Sequence, residues 1–446
     1  MNKIIMTNDY GEKIEKTIYS GLNLSGILTA TKKDSVNENF RGFGVALTGS
    51  SCYNLSLMEK SERAALFQSI YGKDGIGLSV ARLTIGASDY SAEIYSYDDV
   101  TDDTALKHFS IAKDMEYIVP IVKEIIEINP DVKFFASPWS PPAWMKTEGS
   151  MGGGFMRRKY IECYADYFVK YIEAYKEQGI TVSAVTPQNE AETTQQGKMT
   201  ACMWHPELEA EFAIILKEKF VKKGIETKIW FYDHNFNGIG RVMWCLQEYP
   251  ELVSALDGIA FHYYGGGVEQ TRVLKEKYPK LKLHFTEGGP RLYDNYATDY
   301  CKWTLMMIKA LSSGYSSFTG WNLMLDETGG PNVGPFFCGG LVTRNSQSGE
   351  LSYSGQYKAF AHLAPYITEN SEIFPLDIND QWDEMFIYNG KREFTVEGLL
   401  IKNNDKETLV FVNPKDSKAQ IQYEKEGKWY YIELLPKTVA TVIFED

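Results

Sequence analysis

The chain alternates short apolar runs with longer amphipathic segments between about residues 41 and 364. Eight of the runs predict strands: Gly42–Leu47, Leu78–Thr84, Val132–Ala136, Val182–Thr186, Lys228–Tyr232, Gly258–His262, Lys282–Thr286 and Ser317–Leu323. The spacing of apolar residues between them predicts helices, among them Phe109–Ile128, Arg158–Glu177, Pro206–Lys223 and Asp299–Ser312. Eight strands that alternate with helices over this length predict an α/β fold, a (β/α)8 TIM barrel.

The pattern changes after about residue 364, where closely spaced strand-like runs follow one another without helices. The clearest are Phe394–Ile401, Thr408–Val412, Ala419–Tyr423, Lys428–Leu434 and Thr438–Phe444. Residues 1–40 are also strand-like. We therefore expect an antiparallel β-sandwich side domain built from both termini, with residues 1–40 and 365–446 flanking a barrel of residues 41–364.

Composition excludes several classes of function. Hydrophobic residues make up 44% of the 446 residues and charged residues 24%, as in ordinary globular proteins. The net charge of −13 argues against nucleic acid as a partner. No run of about 18 apolar residues predicts a membrane span. The first ten residues lack the apolar core of a signal peptide, so a cytoplasmic location is expected, or secretion if a leader was removed. The oligomeric state stays open.

Neither a cofactor nor a metal is expected. No glycine fingerprint for a dinucleotide follows the first strand, and the glycines at 152–154 and 265–267 lack the Lys-Ser/Thr of a phosphate loop. His205, His234 and His284 do not have metal-ligand spacing.

Two glutamates dominate the candidate chemistry. Glu190 closes the run SAVTPQNE (183–190), and Glu287 closes LKLHFTE (281–287). Since functional groups of such barrels lie at the carboxyl ends of the strands, both acids are expected in one pocket. Cleavage of a glycosidic bond requires such a pair, one acid to protonate the leaving oxygen and one to attack the sugar.

Other strand ends carry groups that suit a sugar. They supply hydrogen bonds for hydroxyls and flat faces for stacking on a sugar ring: Trp139, Trp144, Asn189, His262, Tyr263, Tyr264, Trp321 and Asn322.

The order of these motifs resembles a known family. The matching pieces are GFG (42–44), Arg82 with ASDYS (87–91), ASPWSPPAWMKT (136–147), AVTPQNE (184–190), FHYY (261–264), TEG (286–288), and GWNL (320–323) with GGPN (329–332). Together they resemble glycoside hydrolase family 30, the glucosylceramidase-like retaining β-glycosidases of clan A. A single piece is weak evidence, but the ordered set is specific.

The resemblance implies a role for each matching residue. Glu190 matches the acid/base and Glu287 the nucleophile. Asn189 would hold the substrate 2-hydroxyl, and Arg82 would keep Glu287 ionised. Sugar-pocket positions are matched by Trp139, His262, Trp321 and Asn332, with Tyr264 close to the catalytic pair. For His262, a buried core histidine is nearly as plausible as a sugar contact.

A retaining mechanism predicts two physical properties of the pair of glutamates. The carboxyl groups of a retaining pair lie about 5–5.5 Å apart, whereas those of an inverting pair lie about 6.5–9.5 Å apart. The negative charge of Glu287 is expected to raise the pKa of Glu190, which then serves as acid and later as base.

One departure from the family affects the choice of sugar. Glucosylceramidase-like members carry an Asp that binds the outer hydroxyls of glucose, and Gly49 occupies that position here. Galactose or fucose becomes more plausible, with Ser50, Ser51 or Asp89 taking over part of the contact. A second departure is Ala191, where the family often has Pro after the acid/base.

The favoured function is a retaining β-glycosidase that hydrolyses terminal β-linked sugars of the fucoside, galactoside, glucoside or xyloside class. An endo-acting β-glycanase of the same family is the first alternative. The other is a non-catalytic carbohydrate-binding protein on this fold, which would normally have lost one of the two glutamates.

Overall fold

The structure, a computed structural model, describes residues 2–8, 10–36, 39–379, 395–404 and 406–444. In chain order the strands are β1 (Lys3–Thr7), β2 (Lys13–Thr17), β3 (Ser20–Gly21), β4 (Leu28–Lys32), β5 (Phe43–Leu47), β6 (Val80–Thr84), β7 (Lys133–Ser137), β8 (Val182–Val185), β9 (Lys228–Asn235), β10 (Gly258–His262), β11 (Lys282–Glu287), β12 (Tyr315–Gly320), β13 (Met324–Asp326), β14 (Val342–Arg344), β15 (Leu351–Tyr353), β16 (Glu372–Ile378), β17 (Glu397–Asn403), β18 (Lys406–Asn413), β19 (Ala419–Lys425), β20 (Lys428–Leu434) and β21 (Thr438–Ile443). The α-helices are α1 (Gly49–Ser56), α2 (Lys60–Tyr71), α3 (Ile118–Ile128), α4 (Ile161–Glu177), α5 (Pro206–Lys223), α6 (Ile239–Glu248), α7 (Pro250–Ala255), α8 (Arg272–Lys277), α9 (Tyr300–Ser312) and α10 (Gly355–Leu363).

Strands β5 to β12 close a barrel in sequence order, with β12 paired back to β5. Strand β10 pairs in parallel with β9 and β11, and the successive pairs from β5 to β9 are parallel as well. This confirms the predicted TIM barrel. Its strands are buried along nearly their whole length, as expected when one face lies in the interior and the other is covered by helices.

Side chains rather than a channel fill the barrel interior. Val80, Phe135, Ala184, Trp230 and Ala260 come from five successive strands and form one buried cluster. The Trp230 ring stacks on the His284 ring at 3.6 Å. A packed interior holds the strand ends in fixed positions, and the candidate site lies at those ends.

Two predicted boundaries need correction. Strand β9 continues past Tyr232 to Asn235, and this places three polar residues in the strand. The helix predicted from Phe109 begins only at Ile118. The preceding turns include Asp114, which is buried and accepts hydrogen bonds from tyrosine hydroxyls, so the local chain follows this polar cluster rather than a helix.

The terminal strands form a ten-stranded sheet in the order β2-β1-β21-β18-β17-β16-β4-β19-β20-β3. Neighbouring strands in this sheet are antiparallel except β4 and β19, which are parallel. Apolar residues of both termini, such as Met6, Ile421 and Val442, share one core. The predicted side domain built from both termini is thereby confirmed. Phe394, the predicted start of one strand, lies outside the described residues.

The chain divides into two compact units, residues 43–292 with 317–352 and residues 1–42 with 293–316 and 353–446. The predicted barrel domain, residues 41–364, includes residues 293–316 and 353–364, which group here with the second unit. Helix α9 lies between barrel strands in the sequence, yet it packs against α10, β16 and β21 of the sheet unit. Helix α9 therefore belongs to the unit that contains the ten-stranded sheet. Within the described residues, no helix is long and apolar enough to cross a bilayer.

Candidate active site

Neighbouring strand ends bring the candidate residues together. Arg82 lies in β6, His262 ends β10 and Glu287 ends β11, where His262 and Glu287 are paired across the two strands. Glu190 lies in the turn after β8, and its backbone N–H donates to the carbonyl oxygen of Asp233 at 3.0 Å. The carboxyl ends of these strands thus form one site within the barrel unit.

The two glutamates face each other across a short gap. One carboxylate oxygen of Glu190 lies within 4.8 Å of one of Glu287, and a ring nitrogen of His262 lies within the same distance of both. The Glu190 side chain is 14% exposed and that of Glu287 7% exposed. Both are therefore nearly buried, but neither is sealed from the pocket, which both of them line.

Glu287 is held by a cation and a phenol. Arg82 Nη1 donates to Glu287 Oε2 at 2.5 Å, and the Tyr264 hydroxyl donates to Oε1 at 3.0 Å. Arg82 is fully buried, so water does not screen this ion pair. Both carboxylate oxygens of Glu287 are therefore fixed in position, one by a buried cation and one by a phenol.

Asp233, at the end of β9, is the centre of this network. Its Oδ2 accepts hydrogen bonds from Arg82 Nη2 (2.9 Å), Ser137 Oγ (2.8 Å) and Thr186 Oγ1 (2.7 Å). Its Oδ1 accepts hydrogen bonds from Thr286 Oγ1 (2.6 Å) and His262 Nε2 (3.0 Å). Burial raises the pKa of Asp233, but the charge of Arg82 and the hydrogen bond to His262 outweigh it and hold the pKa below its usual range. This buried anion orients both Arg82 and His262.

Glu190 has different neighbours. His262 Nδ1 lies 3.2 Å from its Oε1, and Gln195 Nε2 donates to its Oε2 at 3.0 Å. His234 Nε2 lies 3.8 Å away, and Glu192 Oε2 pairs with the other ring nitrogen of His234 at 3.2 Å. The backbone of Glu190 has a φ of 53°, a left-handed conformation that costs energy in a residue with a side chain and is often found at functional sites.

The pKa of Glu190 differs from the sequence expectation. Burial raises the pKa, but the hydrogen bond to His262 and the positive charges of His234 and His262 lower it more, so that it lies below its ordinary value. The expectation that the charge of Glu287 would raise the pKa of Glu190 was therefore wrong. The reason is His262, which lies between the two acids and was expected to contact sugar.

His262 does not line the pocket. It is fully buried between Glu190 and Asp233, and its sugar contact stays a prediction. Burial lowers the pKa of His262, but the charge of Glu287 and the hydrogen bonds with Asp233 and Glu190 raise it to about 9. The imidazole therefore carries a positive charge at neutral pH and acts on the acids rather than on a substrate.

The pocket has a volume of about 250 Å³, room for roughly one sugar ring with its hydroxyls. Its lining consists of Asp89, Trp139, Asn189, Glu190, Thr193, Gln195, Met199, His234, Asn235, Tyr264, Glu287, Arg291, Trp321, Phe336 and Cys338. The Trp139 and Trp321 rings stack at 5.2 Å, and the Arg82 guanidinium lies 4.7 Å from the Trp139 ring. These stacked indoles give the pocket a rigid apolar wall.

Asn189 and Asn332, two other predicted sugar contacts, differ in their position relative to the pocket. Asn189 lines the pocket while its Oδ1 accepts from Arg82 Nη2 at 2.8 Å, so its amide N–H groups remain for a ligand. Asn332 lies outside the lining, and its sugar contact stays a prediction. Its side chain donates to the Phe336 carbonyl at 2.5 Å and accepts from the Gly334 N–H at 2.6 Å, so it shapes the loop that presents Phe336.

At Gly49, where glucosylceramidase-like members carry an Asp, neighbouring protein atoms leave little room for a side chain. Gly49 begins helix α1, and a Cβ atom there would lie 3.1 Å from Ser91 Oγ. Ser50 and Ser51 are buried and form hydrogen bonds with other protein groups. Asp89, in contrast, lines the pocket. Asp89 Oδ1 is buried and has no hydrogen-bond partner within the described residues. Burial, with the charges of Glu287 and Glu190, raises the pKa of Asp89 well above its ordinary value.

Comparison with known proteins decides the family. The model described as glycosyl hydrolase family 30 TIM-barrel domain matches residues 40–367, which is most of the chain. The chain belongs to glycosyl hydrolase family 30. It is a glycoside hydrolase, and its substrate is a carbohydrate.

Relatives of this family 30 hydrolase differ in what their names say they act on. The putative glucosylceramidase 3 of Caenorhabditis elegans is 28% identical over 92% of this chain and 80% of the relative. An endo-1,6-beta-D-glucanase of Neurospora crassa is 26% identical over 82% and 78%. The solved structure of the endo-beta1,6-glucanase BT3312 is similar with a TM-score of 0.85 and 27% identity, over 100% of both chains.

The spacing of Glu190, His262 and Glu287 in the hydrolase would also allow a metal ion. Arg82 already forms an ion pair with Glu287, and the raised pKa of His262 keeps its ring protonated. A protonated imidazole has no lone pair for a metal, so the donor set fits a cation poorly. That the hydrolase needs no metal stays a prediction.

Sequence reasoning missed Asp233, His234 and Asn235 as site residues. They follow the apolar run Lys228–Tyr232, and this polar triplet at a strand end was the available signal. In the structure, Tyr232 and Asp233 have φ values of 84° and 56°, and the register with β10 shifts at this point. Such a β-bulge redirects side chains, and period-two reasoning from the sequence does not anticipate it.

Proposed function

We propose that this hydrolase cleaves terminal β-linked sugars with retention, with Glu287 as nucleophile and Glu190 as acid/base. The observation that carries the proposal is the approach of the two carboxylates to within 4.8 Å. That gap suits direct attack by one carboxylate on the sugar, whereas an inverting pair stands about 6.5–9.5 Å apart to admit water.

In the first step, the ionised Glu287 attacks the anomeric carbon and forms a glycosyl ester. The bond to the leaving oxygen breaks as Glu190 gives that oxygen its proton. Arg82 and Tyr264 fix the two oxygens of Glu287 before attack. The free amide N–H of Asn189 would donate to the 2-hydroxyl, a contact that strengthens in the oxocarbenium-like transition state.

In the second step, Glu190 takes a proton from water, and the resulting hydroxide attacks the anomeric carbon from the side that the leaving group vacated. The ester bond breaks and Glu287 returns as carboxylate. The low pKa of Glu190, caused by His262 against the effect of burial, suits this role as base. The first step needs Glu190 protonated, so we expect the hydrolase to work best at acidic pH.

The sugar contacts support a single glycosyl unit of the fucoside, galactoside, glucoside or xyloside class. Trp139 and Trp321 offer flat faces, and the pocket volume of about 250 Å³ suits one ring. Asp89 is the acidic group available for outer hydroxyls where the family Asp is replaced by Gly49. Its raised pKa, due first to burial, would let it donate as well as accept hydrogen bonds.

An endo-acting β-glycanase is the second candidate. Similarity to an endo-beta1,6-glucanase over the full length of both chains favours it. Product analysis separates the two, since exo action on a β-glucan oligomer releases monosaccharide from the first turnover, whereas endo action releases longer oligomers first.

A panel of aryl β-fucoside, galactoside, glucoside and xyloside tests the proposal, with Glu287→Gln as the control. We expect turnover by the wild type on at least one substrate, with the β anomer formed first by NMR, and none by the variant. Binding without turnover would favour the carbohydrate-binding alternative, and a first-formed α anomer would contradict retention.

A further inference from the structure

The two sides of the pocket differ in chemistry. Trp139, Trp321, Met199 and Cys338 belong to one apolar cluster, against which Phe336 packs. Polar side chains make up the part near Glu190: Thr193, Gln195, His234 and Asn235.

The polar part lies on the side of the leaving group. An acid that protonates the leaving oxygen must lie within hydrogen-bond reach of that oxygen. Gln195 donates to Glu190 at 3.0 Å, and His234 lies 3.8 Å from it. Asn235 follows His234 in β9 and is paired with His262 of β10. A group that departs past Glu190 therefore passes Gln195 and Asn235.

Both amides have unused hydrogen-bonding capacity. Asn235 Oδ1 is shielded from solvent and has no hydrogen-bond partner within the described residues. Gln195 uses its Nε2 on Glu190, and the same amide also carries an acceptor, Oε1. A shielded acceptor without a partner is costly, so a ligand that supplies hydroxyls is favoured there.

We propose that Gln195 and Asn235 form the binding site for the leaving group, and that this group is a saccharide. Adjacent sugar hydroxyls donate to Gln195 Oε1 and exchange hydrogen bonds with the Asn235 amide. An alkyl or simple aryl leaving group lacks hydroxyls for these partners. This inference rests on the proposed function, because it takes Glu190 as the acid/base that marks the leaving side.

The test compares two substrates with the same glycone. The aryl panel selects the glycone, and β-linked disaccharides of that sugar with glucose as leaving group are then compared with its 4-nitrophenyl glycoside. For Asn235→Leu we expect kcat/KM on the better disaccharide to fall about 10- to 100-fold, with less than about a threefold change on the aryl glycoside. Retained aryl turnover also shows that the variant is folded.

Gln195→Leu adds a second variant, and Gln196→Leu is its control. Gln196 is the neighbouring amide, but it is exposed and outside the pocket lining. We expect Gln195→Leu to impair the disaccharide more than the aryl glycoside, and Gln196→Leu to leave both unchanged. An equal loss on both substrates for Asn235→Leu, or no loss on either, would overturn the leaving-group site. No aryl turnover by the wild type would instead contradict the proposed function.

Discussion

The surroundings of Glu287 and Glu190 differ although both residues are glutamates in one pocket. Glu287 is fixed by the buried Arg82 and by Tyr264. Glu190 is bounded by His262, itself buried, and by Gln195 from a short helical turn. One carboxylate therefore faces a permanent cation, and the other faces an imidazole and an amide.

Different neighbours allow two glutamates to serve two roles. A guanidinium never loses its proton in the working range, so the cation that holds Glu287 in place is permanent. An imidazole can change its charge, and Glu190 must gain and lose a proton in each cycle. Asp233 connects the two sides, since it binds both Arg82 and His262.

The largest expected effect separates the two glutamates directly. Glu287→Gln removes the nucleophile and should lower kcat on activated aryl glycosides by about 10⁵-fold. Glu190→Ala should lower it by about 10²–10⁴-fold on poor leaving groups, because only acid/base assistance is lost. Azide should partly rescue Glu190→Ala with a β-glycosyl azide as product, measured by NMR. Equal loss in both variants without an azide adduct would contradict the assignment.

Asp233→Asn tests the connection between the two sides. Removal of this charge leaves Arg82 and His262 without their buried partner, so we expect kcat to fall about 10²-fold through misplaced acids. The free energy of unfolding should fall by about 3–5 kcal/mol. Asp114→Asn is the control, since Asp114 is also buried and bonded to tyrosines but lies away from the pocket. A loss of kcat as large in Asp114→Asn would show that Asp233 acts only through stability.

Asp89→Leu tests the sugar side of the comparison and should act on specificity. The variant loses one polar contact to an outer hydroxyl, so kcat/KM for the preferred glycone should fall about 10-fold. The ranking of the four aryl glycosides should change with it. An unchanged ranking in a folded variant would exclude Asp89 as a specificity residue.

His262→Asn should give the smallest change in maximal rate and is detected in the pH profile. The first step needs protonated Glu190, so kcat/KM falls as pH rises through the pKa of Glu190. His262 lowers that pKa, against burial, which raises it. Loss of His262 therefore raises the pKa of Glu190 and moves the alkaline limb to higher pH. His284→Asn, in the barrel interior, should leave the limb in place, and a shift to lower pH in His262→Asn would contradict the account.

Sequence reasoning reached the parts of the site that lie in regular strands. Glu287 and His262 end strands whose apolar runs are visible, and β10 and α5 have the predicted bounds. The network behind them was hidden because Asp233 follows a bulge and Glu190 lies in a left-handed turn. Side-chain direction there depends on tertiary packing, which also decides that His262 faces the acids rather than the pocket.

A mass measurement after treatment with a 2-deoxy-2-fluoro β-glycoside that has an activated leaving group tests the division of labour between the acids most directly. The fluorine slows both steps, and the activated leaving group needs little help from Glu190, so the glycosyl ester accumulates. The account predicts one added glycosyl unit on the peptide that contains Glu287 and none on Glu287→Gln. A label on Glu190, or turnover without a labelled peptide, would contradict it.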